Sequence, residues 1–153
     1  MLNVSVRLVG ALSIIAALST PALADEAWDT PDGPVTYLAD QDGTAILSFT
    51  GHTNEVRFYF PGLAGNYSDR SVHDGYWVEA TGVQSAYSFS GNPGNVDSCG
   101  ITMTGPDGFS SDRWGTAKIV FHESGFPSNW TLLGGLCTAP LSETLQGYAR
   151  TND

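Results

Sequence analysis

Ser71, His73 and Asp74 stand within four positions of one another and carry the side-chain types of a nucleophile, a base and an orienting acid. Such relays are assembled by the fold from distant positions, so adjacency in sequence argues little for one. No G-x-S-x-G elbow accompanies them. Paired carboxylates for glycoside cleavage could arise from any of the 16 acidic residues, so their number singles out no pair. His52, His73 and His122 lie in separate segments without the short spacing of a zinc site. Asp40-Gln41-Asp42-Gly43 and the stretch from Asp107 to Asp112 place oxygen ligands on turns, as calcium requires. The first lacks the third acid and distal Glu of a helix-loop-helix calcium loop, and turn chemistry accounts for both. The sequence therefore assigns no catalytic residue, no metal and no cofactor.

The segment 60–77, FPGLAGNYSDRSVHDGYW, is the most unusual stretch of the chain. It reads as a long loop, and loops of that length often carry function. Tyr67, Tyr76 and Trp77 could serve as aromatic anchors for a partner, with Asp69, Arg70 and His73 supplying directional polar contacts. The segment 109–114 could extend the same surface. In the alternative, Tyr76 and Trp77 open a strand and pack in the core, while Arg70 pairs with Asp69 or Asp74 at the surface.

These side chains must be positioned by short strands. Asp32-Gly33, Asp42-Gly43, Asp74-Gly75 and Asp107-Gly108 mark turns, since Asp bonds its own backbone and Gly accepts positive φ. Between turns, TAILSFT at 44–50 puts Ala45, Leu47 and Phe49 on one face. After four turn residues, EVRFYF at 55–60 alternates Val56, Phe58 and Phe60 with Glu55, Arg57 and Tyr59, which predicts a hairpin. Further strands are expected over 75–80, 85–90, 100–104, 116–122 and 130–133. Only 141–150 has a helix-like composition, and no long 3.6-residue apolar period occurs. The expected fold is all-β, a small antiparallel barrel or sandwich of about seven to eight short strands. Residues 25–34 and 151–153 are expected to be loosely held.

Composition sets the compartment. Residues 1–7 carry one positive charge, LVGALSIIAALS follows as an apolar stretch too short to span a bilayer, and Thr20-Pro21-Ala22-Leu23-Ala24 fits a signal peptidase. The sequence thus divides into a removed signal, 1–24, and a single β domain, 25–153. All 16 acids follow the expected cleavage point, against five bases there, which leaves a net charge of about −11. Such a surface repels nucleic acid and anionic membrane, and argues against both as partners. Cys99 and Cys137 are the only cysteines. In an oxidising compartment, periplasm or medium, an even pair implies one structural disulfide. Asn66-Tyr-Ser and Asn129-Trp-Thr match the N-glycosylation sequon.

From Cys99 the chain runs CGITMTGPDGFSSDRWG and later reaches Cys137. This order resembles small exported bacterial proteins of unassigned function: a Cys, a Met, an Asp-Gly turn with Ser-Asp, a strand, a closing Cys. In outline the chain is also similar to the C-type lysozyme inhibitors of bacterial envelopes. The resemblance covers roughly a quarter of the mature chain and implies the fold and the compartment. The Ser-Ala-Ser-Gly-like inhibitory loop of those inhibitors has no counterpart here, so no inhibitory residue is carried over. The expected function is an exported, non-enzymatic binding protein for a protein or glycan of the envelope or medium, such as an inhibitor of an envelope-directed hydrolase. A small secreted hydrolase and a structural envelope protein are the alternatives.

Overall fold

The computed structural model describes residues 26–50, 54–65, 70–80, 98–125 and 127–150. Its strands in chain order are β1 (Ala27–Thr30), β2 (Gly33–Gln41), β3 (Thr44–Thr50), β4 (Glu55–Pro61), β5 (Val72–Glu79), β6 (Met103–Thr104), β7 (Ser110–Ser111), β8 (Trp114–Phe121), β9 (Trp130–Leu136) and β10 (Glu143–Ala149). The chain is all-β. Eight strands close an antiparallel barrel in the order β1-β10-β9-β8-β5-β4-β3-β2, and β6 and β7 form a separate short hairpin. Apart from that hairpin, each barrel strand pairs with the next in sequence.

The alternation in β3 and β4 sets the inner wall. Ala45, Leu47, Phe49, Val56, Phe58 and Phe60 all join one buried cluster, so both predicted apolar faces point inward. Leu47 pairs with Phe58, and Phe58 pairs with Trp77 of β5. Three tryptophans fill most of the remaining space: Trp28 on β1, Trp77 on β5 and Trp130 on β9, none more than 1% exposed. Trp28 and Trp130 meet edge to face with ring centroids 5.8 Å apart. Their bulk is accommodated by glycines on facing strands. A Cβ on Gly115 would collide with the Gly135 carbonyl oxygen and lie 2.6 Å from Trp77 Nε1, and one on Gly147 would run into the Trp130 ring. An eight-stranded barrel is just wide enough for side chains to fill, and here the buried cluster points into it.

Several expectations are corrected. Asp74-Gly75 is no turn but the middle of β5, where a Cβ would strike the Tyr59 carbonyl oxygen and the Phe60 ring. Residues 141–150 are not helical; Glu143–Ala149 is β10. Residues 27–34 are held, forming β1 and the start of β2, and β1 closes the barrel between β2 and β10. The predicted long loop is shorter, since β4 ends at Pro61 and β5 begins at Val72. Of 100–104, only Met103–Thr104 is a strand. The expected strand at 85–90 and the signal segment fall outside the described residues.

The other turn signals hold. Asp42-Gly43 links β2 to β3 with both φ values positive, at 50° and 76°, which suits the right-handed twist of a hairpin. Asp107 accepts the Phe109 N–H at 3.1 Å, closing the turn around Gly108.

Candidate functional site

Residues 98–113 form a strap on the outer face of the barrel. The strap begins at the lower end, where the Cys99–Cys137 disulfide ties it to the corner after β9. It climbs until the Pro106 carbonyl accepts the Gln41 side-chain N–H at 2.8 Å, then returns through β7 to Trp114. Beneath it lies a second apolar cluster of Ile46, Tyr59, Val78 and Trp114, with Tyr76, Cys99, Met103 and Phe109 packed against it. Ile46, Tyr59, Tyr76 and Val78 are outward positions of β3, β4 and β5, and Trp114 opens β8; the strap's Cys99, Met103 and Phe109 pack on them.

Asp107 is the strap's main polar tie. Arg57 Nη1 donates to its Oδ2 at 2.5 Å and the Tyr59 hydroxyl donates to Oδ1 at 3.0 Å. Burial acts to raise its carboxyl, but the bonds from Arg57, the Phe109 N–H and Tyr59 outweigh that and hold it below the usual range. Burial and the bond to Asp107 both push the Tyr59 phenol up, so it remains a neutral donor. Tyr59 stacks on Tyr76 at 4.8 Å, and Arg57 lies 4.3 Å over the Phe109 ring.

Each end of the barrel is closed by a buried ion pair. At the upper end Arg70 forks onto Glu26, Nη1 to Oε1 at 2.5 Å and Nη2 to Oε2 at 2.7 Å, and Nη1 also donates to Ser128 Oγ at 3.2 Å. At the lower end Arg113 donates to Glu79 Oε2 at 3.1 Å and Asn54 donates to Oε1 at 3.0 Å. Glu79 is 1% exposed and Glu26 6%.

The residues singled out as a contact surface are dispersed. Tyr67 and Asp69 lie outside the described residues. Trp77 is inside the barrel, donating Nε1 to the Gly135 carbonyl at 3.2 Å. Arg70 is buried on Glu26, while Asp74 lies against Lys118. His73 pairs in register with fully buried Ile119 and shares its inward face, and its Nε2 is buried with no hydrogen-bond partner among the described residues. Tyr76 is half-buried beneath the strap. Phe109 and Trp114, expected to extend the surface, belong to the strap's own cluster.

The geometry also separates the residues of the relay. Consecutive strand residues point to opposite faces, so His73 faces inward while Asp74 faces out to Lys118 Nζ at 3.1 Å. Ser71 contributes its carbonyl to the Phe121 N–H. Among the described residues no three His, Cys, Asp or Glu side chains converge as metal ligands would. Asn129 of the second sequon is engaged, its Oδ1 accepting the Ala149 N–H at 2.9 Å. The first sequon and His52 are outside the described residues.

Sequence reasoning missed Ile101. Its carbonyl accepts the Trp114 indole N–H at 2.9 Å, yet the residue is 62% exposed. A lone Ile between Gly and Thr carries no periodic signal, so only the structure singles it out.

Fold and site together define a closed, up-and-down barrel with a disulfide-latched strap. Its polarity, apolar within and polar at outward positions such as Asp29, Asp74, Thr144 and Gln146, is the reverse of a lipid-facing barrel. Among the described residues no helix is long and apolar enough to cross a membrane. Comparison with protein-family models, curated proteins and solved structures finds no match for this chain. The disulfide is consistent with an oxidising, exported location.

Proposed function

We propose that this chain is an exported, non-enzymatic binding protein that meets its partner with its outer surface. The observation that carries the reading is the set of large aromatic side chains buried inside the barrel. Trp28, Trp77 and Trp130 lie in the interior, the part of a barrel of this size that can hold a small ligand. The charged residues deepest in the fold serve its architecture, as in the Arg70–Glu26 and Arg113–Glu79 pairs. What remains for recognition is the outer surface of a rigid scaffold. The signal-like N-terminus and the disulfide support export, and inhibition of an envelope-directed hydrolase is one form such binding would take.

The test is affinity capture with the oxidised protein as immobilised bait, using envelope extract and culture medium, with soluble protein as competitor. A protein or glycan retained by the bait and displaced by the competitor is the expected result. Nothing displaced, together with turnover of peptide, ester or glycoside substrates, would overturn the reading in favour of a hydrolase.

A further inference from the structure

If the chain binds a partner as proposed above, its lower end offers the contact surface and the charge there sets the class of partner. Residues 98–102 emerge at the lower end of the barrel beside the disulfide, and their backbone is fixed at successive positions. Cys99 is bonded to Cys137, and its N–H donates to the Asp112 carbonyl at 2.8 Å. The Gly100 N–H donates to Ser98 Oγ at 3.0 Å. The Ile101 carbonyl is held by the buried Trp114 indole. An isolated apolar side chain on a surface is ordinary. Unlike Leu38 and Val72, which are also exposed but lie on barrel strands, Ile101 stands on a connection pinned by a disulfide and three hydrogen bonds. A backbone already ordered loses little further freedom on association, which is how preorganised contact loops gain affinity.

Charge gives the partner's chemistry. Every Arg and Lys among the described residues is spent on an acid of the same chain: Arg57 on Glu55 and Asp107, Arg70 on Glu26, Arg113 on Glu79, Lys118 on Asp74, Arg150 on Asp29. Asp112, whose carbonyl holds Cys99, and Glu143, at the same end of the barrel where β10 begins, have no basic partner among the described residues. Ile101 therefore emerges at an end of the barrel where these two acids have no basic partner among the described residues, in a chain of formal net charge −10. We propose that residues 98–102 are a preformed contact loop that inserts Ile101 into an apolar recess of a cationic protein, with Asp112 and Glu143 facing Lys and Arg on the recess rim.

The experiment is calorimetric titration of the oxidised protein against three purified probes, a basic muramidase, a basic ribonuclease and an acidic albumin. The expected result is binding to a basic probe but not to albumin, weakened at least about tenfold by Ile101→Asp. The Asp112→Asn/Glu143→Gln variant should flatten the salt dependence of that binding. Thermal unfolding identical to wild type shows that Ile101→Asp folds, and Ile101→Ser provides a second, uncharged variant. Failure of both basic probes, equal binding by albumin, or wild-type binding by both Ile101 variants would overturn the proposal. Repeating the capture experiment with the Ile101 variants distinguishes this failure from failure of the broader reading. A partner retained equally by wild type and variants preserves the binding function and overturns this surface; nothing retained by any of them ends both.

Discussion

Arg70 and Glu26, 44 positions apart in sequence, meet in a two-pronged ion pair inside the upper mouth of the barrel. The Arg70 guanidinium also lies 5.2 Å over the Phe121 ring. The pair ties the segment before β1 to the segment before β5, and so fixes the strand that closes the sheet.

Removing one partner leaves a buried charge without its counter-ion. Arg70→Met is expected to lower unfolding free energy by about 3–5 kcal/mol. Adding Glu26→Leu to it should restore most of that loss, because an apolar pair needs no compensation. Urea unfolding of the two variants checks this; a double variant as unstable as the single would argue that the ions themselves are required.

Gly115 and Gly147 make room for Trp77 and Trp130. Gly115→Ala or Gly147→Ala is expected to cost at least about 1–3 kcal/mol by overpacking. Thermal unfolding supplies the readout. A partial rescue of Gly147→Ala by Trp130→Phe, which shrinks the opposing ring, would tie the cost to that contact.

Acid should loosen the strap. The folded carboxyl of Asp107 titrates below its ordinary value, so its contribution to stability is present above about pH 4 and is lost as pH falls through the lowered folded value. Asp107→Asn should reduce the stability difference between neutral and acid pH. Hydrogen exchange of residues 98–113 across that range locates the effect, and unchanged pH dependence in the variant would count against it.

The disulfide closes a loop of 38 positions. Replacing both cysteines by serine is expected to cost about 4 kcal/mol on the chain-entropy argument. The loss should be accompanied by faster exchange in the strap than in β3 or β8. Denaturant unfolding with and without reductant provides the measurement.

The parts of the fold that could be read in the sequence are those where side chains advertise their face. In β3 and β4 large apolar residues alternate with polar ones, and the Asp42-Gly43 turn lies beside them. β10 could not be read this way. Its inward positions are Leu145, Gly147 and Ala149, and Gly147 is small because the ring that fills its place belongs to Trp130. Asp74-Gly75 misled for the same reason, its glycine answering a neighbouring strand instead of a turn. β1 carries only one large apolar side chain, Trp28, among acids that suggest a tail. Aromatics cluster in 60–77 and suggest a contact surface there, but Trp77 completes the core and Tyr76 underlies the strap. No local pattern reveals that Arg70 will find Glu26 or that Trp114 will hold Ile101.

The closure of β1 onto β10 means that the eight-stranded sheet offers no row of unsatisfied backbone amides and carbonyls. A foreign strand cannot add itself to that ladder, and two copies cannot zip together edge to edge. Any partner met along the barrel wall would have to be recognised through side chains and not by lengthening the sheet.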